Sequence, residues 1–369
     1  MIAGSAAGPA ETGLTPDQRA AARPVAFHVP ATTANLGPGF DALGLALTLD
    51  NTVEMAIDPP EAPAVTITIQ GEGEAELARD RTNLVYQAAV AVFERARRRV
   101  PPLRIHLVNR IPLAAGLGSS AAAIVGGISA ANEVAGSPLS KDELLDLATS
   151  IEGHPDNVAP ALFGGFMVAT MDRNGRITYC RLEPPQNLKC VVAVPQYKLA
   201  TSESRRVLPQ VVSHRDAVYN VGRAALLVSA LSQGRLSLLE TAMEDRLHQP
   251  YRSSLVPGMD AVFKAAKEAG ALGVALSGAG PTLIAFCAGA EDDVARAMSQ
   301  ALSWSGVESR VMVLKPGLSG ARIGPSQHLA GHSPGGPGGA SSGAGGRGRG
   351  GVGRGPAPRH NARVSGDHA

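Results

Sequence analysis

Ile111-Pro-Leu-Ala-Ala-Gly-Leu-Gly-Ser-Ser-Ala-Ala-Ala123 is the stretch from which the fold of this chain can be read. Leu103–Asn109, just before it, alternates apolar and polar residues as a half-buried strand does. The Ala-rich run from Ser119 to Val134, just after it, predicts a helix. Glycines at 116 and 118 let the backbone come close to a ligand. Ser119 and Ser120 put no bulk in the helix's first turn, so its free N–H groups and positive dipole end suit a phosphate. Serine hydroxyls are also oxygen ligands for Mg2+. No Gly-Lys-Ser/Thr follows, so this is not a Walker A loop. No Gly-x-Gly-x-x-Gly opens a βαβ unit at Gly116, which argues against a dinucleotide fingerprint. Taken alone, the stretch reads equally well as an ordinary strand-to-helix turn with small residues for close packing.

Two further segments shift that balance. Val29-Pro-Ala-Thr-Thr-Ala-Asn-Leu-Gly-Pro-Gly-Phe-Asp41 places Asn35 and Asp41 in a Gly/Pro loop between apolar strands. Leu276-Ser-Gly-Ala-Gly-Pro-Thr282 is a second Gly-rich loop between strands. Three such loops exceed what turn chemistry requires. Around them the patterns predict strands at 25–30, 44–58, 64–70, 166–170, 177–182, 190–194, 273–276, 282–287 and 307–314. Helices are expected at 83–99, 141–152, 214–232, 259–269 and 291–304, with Ser140 and Glu143 forming a capping box. Runs of strands broken by runs of helices predict an α+β fold with two lobes rather than a doubly wound sheet.

Together the three motifs resemble those of the GHMP small-molecule kinases, and within them the homoserine kinase family. Pro112 to Ala121 reads as that family's Pro-x-x-x-Gly-Leu-Gly-Ser-Ser-Ala, Pro30 to Asp41 as its first motif and Ser277 to Pro281 as its third. The resemblance implies a GHMP kinase fold: a ribosomal-protein-S5-like N-terminal lobe over residues 24–183 and a ferredoxin-like C-terminal lobe over 184–324. It implies transfer of a phosphoryl group from ATP to L-homoserine, on the route to threonine, with the site between the lobes. Residues 1–23 read as a disordered leader and 325–369 as a disordered Gly/Arg-rich tail.

The resemblance also distributes roles. Pro112, Leu113, Ala114, Ala115, Gly116, Leu117, Gly118, Ser119, Ser120, Ala121 and Ala122 bind ATP. Ser120 and Glu152 hold Mg2+; a carboxylate closing a helix at Glu152 works against the dipole and suggests such a use. Asn35, Asp41, His154, Asp156, Thr201, Arg205 and Arg252 bind homoserine, with an acidic group toward the ammonium and arginine forks toward the carboxylate. Arg206 competes with Arg205 for that place. His154, Asp156 and Asn157 are expected in a loop after Glu152. Asn157 stands where related kinases carry a catalytic aspartate, and an amide is no general base. Two mechanisms stay open: in-line attack with the protein only positioning and stabilising, or proton acceptance by Asp41 or His154.

Bulk properties set the remaining bounds. Formal net charge is +2, and from Pro325 onward five arginines face one aspartate, so the globular part is near neutral and no nucleic-acid binder by charge. The Gly-Arg repeats resemble RNA-binding tails but carry no aromatic residue to stack on bases. Three cysteines at no ligand or redox spacing fit a reducing cytoplasm. No signal peptide or membrane span is read. A homodimer is the family-level expectation, and another GHMP kinase is the nearest rival reading.

Overall fold

β1 (Val25–Asn35) and β2 (Gly39–Ile57) form the long antiparallel hairpin on which the first half of the protein is built. A computed structural model describes residues 23–329. The expected leader, apart from Arg23, and the Gly-Arg repeats lie outside those residues. β1 runs five residues past the expected strand end at Pro30. Proline cannot donate to the ladder, and the register against β2 shifts between Pro30 and Ala31 rather than ending there. The loop expected from Val29 to Asp41 therefore shrinks to the turn around Leu36–Pro38.

β2 is long enough to serve two neighbours. Leu43–Leu45 pair with β5 (Phe166–Met171), which pairs in turn with β6 (Ile177–Leu182). Thr52–Ile57 pair with β4 (Leu103–Asn109), and β3 (Val65–Gly71) lies parallel to β4. Apolar residues on one face of this sheet, among them Val29, Leu45, Val53 and Ile105, are buried with α1 (Leu84–Arg95), α2 (Ser119–Val134), α3 (Lys141–Glu152) and α4 (Pro155–Phe163).

The second sheet joins β7 (Lys189–Pro195), β8 (Gly273–Leu276), β9 (Leu283–Cys287) and β10 (Ser309–Leu314), all antiparallel, in the order β10-β7-β9-β8. That is the ferredoxin-like order. Between β7 and β8 run α5 (Thr201–Arg206), α6 (His214–Ser232), α7 (Leu239–Ala242), α8 (Gln249–Arg252) and α9 (Met259–Glu268); α10 (Glu291–Trp304) connects β9 to β10. Val191, Val262, Leu283, Val294 and Met298 fill a separate core. The fold is α+β, as the runs of strands broken by runs of helices predicted.

The chain then returns to the first sheet, a step the sequence did not reveal. β11 (Arg322–Gly324), expected with the second lobe, pairs with β1. The next residues, 325–329, expected to be unordered, are gathered by one buried carboxylate. Glu54 accepts from Ser326 Oγ at 2.7 Å, Gln327 N at 3.1 Å, Leu329 N at 3.0 Å and the His328 ring at 2.9 Å. Val53, its neighbour, lines the cleft described below, so alternation along β2 puts Glu54 on the opposite face. Burial alone would raise the Glu54 pKa, but the hydrogen bonds from His328, Ser326 and the backbone bring it down to about 2. A depressed carboxylate stabilises the fold above its ordinary value of 4.5 and loses that contribution as pH falls toward 2. We predict that Glu54→Gln lowers the melting temperature by about 4 °C at neutral pH. The difference from wild type should shrink across pH 4.5 to 2; thermal melts along a pH series check both.

Candidate active site

A cleft of about 370 Å³ opens where the three Gly-rich segments meet. The phosphate loop enters it with positive φ at Ala114 (50°), Gly116 (82°) and Gly118 (68°). Ala114 costs roughly 1 kcal/mol in that conformation, since its Cβ crowds the backbone. At Gly116 a Cβ would stand 2.3 Å from Ser277 O, and at Gly118 1.9 Å from Thr32 Oγ1. These two glycines are therefore fixed by close approach as well as by φ. The third motif backs the loop: Ser277 Oγ donates to Gly116 O at 2.7 Å, and Thr282 N donates to Ala115 O at 3.1 Å.

α2 starts at Gly118 with no side-chain cap. Its first-turn N–H groups are left for a ligand, and Ser119 and Ser120 line the cleft. Ser120 Oγ donates to Glu152 Oε1 at 2.6 Å. Burial pushes the Glu152 carboxyl above its ordinary value and Asp156 adds to the rise, against the Ser120 hydrogen bond and His154. An under-compensated carboxylate beside a hydroxyl, at an open helix N-terminus, is a donor set suited to a hard cation. Of the residues expected to bind ATP, Leu113, Ala114, Ala115, Gly116, Gly118, Ser119, Ser120 and Ala122 line the cleft. Pro112, Leu117 and Ala121 are buried outside its lining, where they support the loop.

His154, Asp156 and Asn157 are not in a loop. His154 is the N-cap of α4 and Pro155 its first residue, so Asp156 and Asn157 project from a first helical turn. Proline is favoured at that position because its missing N–H would go unused there. Thr32 Oγ1 donates to Asn157 Oδ1 at 2.8 Å, and Asn157 Nδ2 faces Asp156 Oδ1 at 3.3 Å. His154 Nδ1 is 2.5 Å from Asp156 Oδ1. Burial works against a charge on His154, but its bond to Asp156, with Glu152 and Asp41 nearby, raises the pKa above the ordinary value.

On the same cleft, Arg205 and Asp41 form a bidentate pair at 2.8 and 3.0 Å. Expected at opposite poles of the substrate, the two side chains stand side by side. Asp41 sits at φ 55°, in a turn where Asn35 (68°) and Leu36 (49°) are also left-handed. Asn35 braces that turn, taking Asp41 N on Oδ1 at 3.0 Å and giving Nδ2 to Gly278 O at 2.9 Å. Its amide is thus engaged by protein on both atoms. Thr201 opens α5 at the cleft edge. Arg252 is 2% exposed, yet among the described residues no carboxylate pairs with it. Burial, then repulsion from Arg205, lowers its pKa to about 10.

Much of the remaining lining lies outside the expected site residues: Asn51, Val53, Leu77, Asn83, Leu107 and Asn109 form a half-apolar wall beside the phosphate loop. Asn83 spends its Oδ1 capping α1, and Asn51 Oδ1 accepts from Arg110 N and Ile111 N.

Residues 83–165 match the model of the GHMP kinases N terminal domain, and residues 227–303 that of the GHMP kinases C terminal domain. Homoserine kinase from Moorella thermoacetica is 51% identical over 297 residues, which span 80% of this chain and 98% of that protein. The chain belongs to the GHMP kinase family. Within that family, homoserine kinase from Carboxydothermus hydrogenoformans is 48% identical over 80% of this chain and 96% of its own. The crystal structure of homoserine kinase from Cytophaga hutchinsonii superposes with a TM-score of 0.72 at 31% identity, covering 81% of this chain and 97% of that one. The crystal structure of L. major mevalonate kinase in complex with R-mevalonate matches at TM-score 0.61 but 17% identity, covering 78% of this chain and 95% of that one, a likeness of fold alone. Among the described residues no helix is long and apolar enough to cross a membrane.

Proposed function

We propose that this GHMP kinase transfers the γ-phosphoryl group of ATP to the hydroxyl of L-homoserine, giving O-phospho-L-homoserine and ADP for threonine biosynthesis. The carrying observation is that one cleft joins an uncapped helix N-terminus to a charge set shaped for an α-amino acid. An amino acid carries its ammonium and carboxylate on one carbon. Asp41, held by Arg205, and Arg252, unpaired among the described residues, set an acidic group for the ammonium and a guanidinium for the carboxylate in one cleft. The backbone around Gly116–Ser120 cradles the phosphates. Mg2+ would be held by Ser120 and Glu152, and when bound it supplies charge neutralisation for the phosphates.

The residues favour positioning over general-base catalysis. Both Asp41 oxygens are committed to Arg205. Asp156 raises the His154 pKa above its ordinary value, which favours the ring as a donor over the ring as a proton acceptor. Asn157 takes a hydrogen bond from Thr32 on Oδ1 and gives one N–H to Asp156, which leaves its second N–H as the donor available to the substrate. The hydroxyl oxygen then attacks in line as the bond to ADP breaks, and its proton passes late to an oxygen of the transferred phosphoryl group, as suits a loose transition state. Thr201 also lines the cleft, and Asn35 holds Asp41 in place.

We further propose that residues 24–183 and 184–324 act as two lobes, with β11 tying the end of the second back to the first. A cytoplasmic homodimer completes the reading, with Cys180, Cys190 and Cys287 as free thiols. The test is ADP release with homoserine, mevalonate and galactose side by side. Turnover is expected with homoserine alone; equal turnover of all three alcohols would refute the assignment.

A further inference from the structure

We infer that His248 is a positioning residue: a neutral hydrogen-bond acceptor that fixes the Arg252 guanidinium without quenching its charge. The inference rests on the proposed binding of a substrate carboxylate at Arg252. His248 is fully buried. Its Nε2 lies 2.7 Å from Gly37 O and its Nδ1 3.2 Å from Arg252 Nη1. A carbonyl only accepts and a guanidinium only donates. The ring proton is therefore on Nε2, Nδ1 is bare, and the imidazole is neutral in a single tautomer. Burial lowers its pKa in keeping with this; Asp245 opposes the shift and Arg252 reinforces it.

The remaining contacts show what this holds in place. Arg252 Nη1 also donates to Gly278 O at 3.0 Å, and Nε donates to Ser204 O at 3.2 Å. Phe40 lies against both partners, 5.3 Å from the guanidinium carbon and 5.2 Å from the His248 ring. Two nitrogens of the fork are thus anchored, and among the described residues no acceptor engages Nη2. Asp245 fixes the turn that carries His248, accepting from Leu247 N, His248 N and Gln249 N at 2.7–3.0 Å and from Asn220 Nδ2 at 2.8 Å. It forms no ion pair with Arg252. A carboxylate in the place of His248 would anchor the guanidinium equally well but neutralise it. The imidazole supplies the geometry and leaves the positive charge for the ligand.

Two amide substitutions separate the two ring nitrogens. His248→Asn offers an oxygen near the position of Nδ1, while His248→Gln offers an NH2 group near that of Nε2. Each variant is assayed with homoserine and with homoserine amide, whose carboxylate is replaced by a neutral carboxamide. His248→Gln and His248→Ala should raise the homoserine KM about 10-fold or more. The ATP KM and turnover of the amide should move by less than about 2-fold. His248→Asn should restore most of the homoserine KM. Equal KM for Asn and Gln variants, or equal losses on homoserine and its amide, would overturn the inference. If the alanine variant fails to fold, the comparison of Asn with Gln still decides. Failure of the wild-type enzyme to phosphorylate homoserine would instead remove the reading of the site beneath it.

Discussion

Glu152→Gln should reduce phosphorylation of homoserine by about 10²–10³-fold while leaving the fold intact or slightly more stable. The two halves of this expectation come from the same geometry. Glu152 ends α3, where the helix dipole disfavours a negative charge, and its nearest partner is the neutral Ser120 hydroxyl. Its raised pKa means that the folded protein binds its proton more tightly than the unfolded chain does. The carboxylate therefore detracts from stability above its ordinary value of 4.5, and increasingly so up to its folded pKa. The amide substitution removes that charge and keeps the shape. It also removes the anionic oxygen that the proposed Mg2+ site needs, so the Mg2+ concentration for half-maximal rate should rise together with the loss of kcat. Melting curves and a Mg2+ titration of both proteins check it. A variant with wild-type kcat would leave Glu152 as a surface carboxylate with no share in catalysis.

What could be read from the sequence depended on how local its cause was. The capping box at Ser140 and Glu143 and the Ala-rich α2 are set within a few residues, and both stand where the pattern predicted. His154, Asp156 and Asn157 are expected in a loop but sit at the start of α4; Pro155 at the first helical position is the signal for that helix. The motif residues were legible as a set, but their partners were not. Nothing in the one-dimensional order says that Asp41 would be spent on Arg205, 164 positions away, or that Asn35 would brace a left-handed turn. Asn51, Asn83 and Asn109 reach the cleft only once β2, β4 and the start of α1 are assembled, so no spacing in the sequence betrays them. Glu54 was likewise one polar residue in an alternating strand until the chain's return placed five donors around it.

Arg252→Met should lower kcat/KM for homoserine by about 10²-fold and change turnover of homoserine amide little. The guanidinium is buried without a protein carboxylate, an arrangement that costs stability unless a ligand supplies the anion. Methionine fills much of the same volume and removes the unpaired charge. It leaves Ser204 O and His248 Nδ1 without the Arg252 donor, while Gly278 O keeps Asn35 Nδ2, so the two effects on stability oppose each other and the melting temperature should move by only a few degrees. Lysine should not rescue the activity. A single ammonium cannot keep three anchors and still present a free N–H at the position of Nη2. Arg205→Met provides the contrast, since Arg205 holds Asp41. Losing it disorders the group proposed for the substrate ammonium, which homoserine and its amide share, so both substrates should suffer alike. Selectivity for the carboxylate should thus track Arg252 alone. An Arg252→Met enzyme that lost homoserine and the amide to the same degree would move the carboxylate site elsewhere in the cleft.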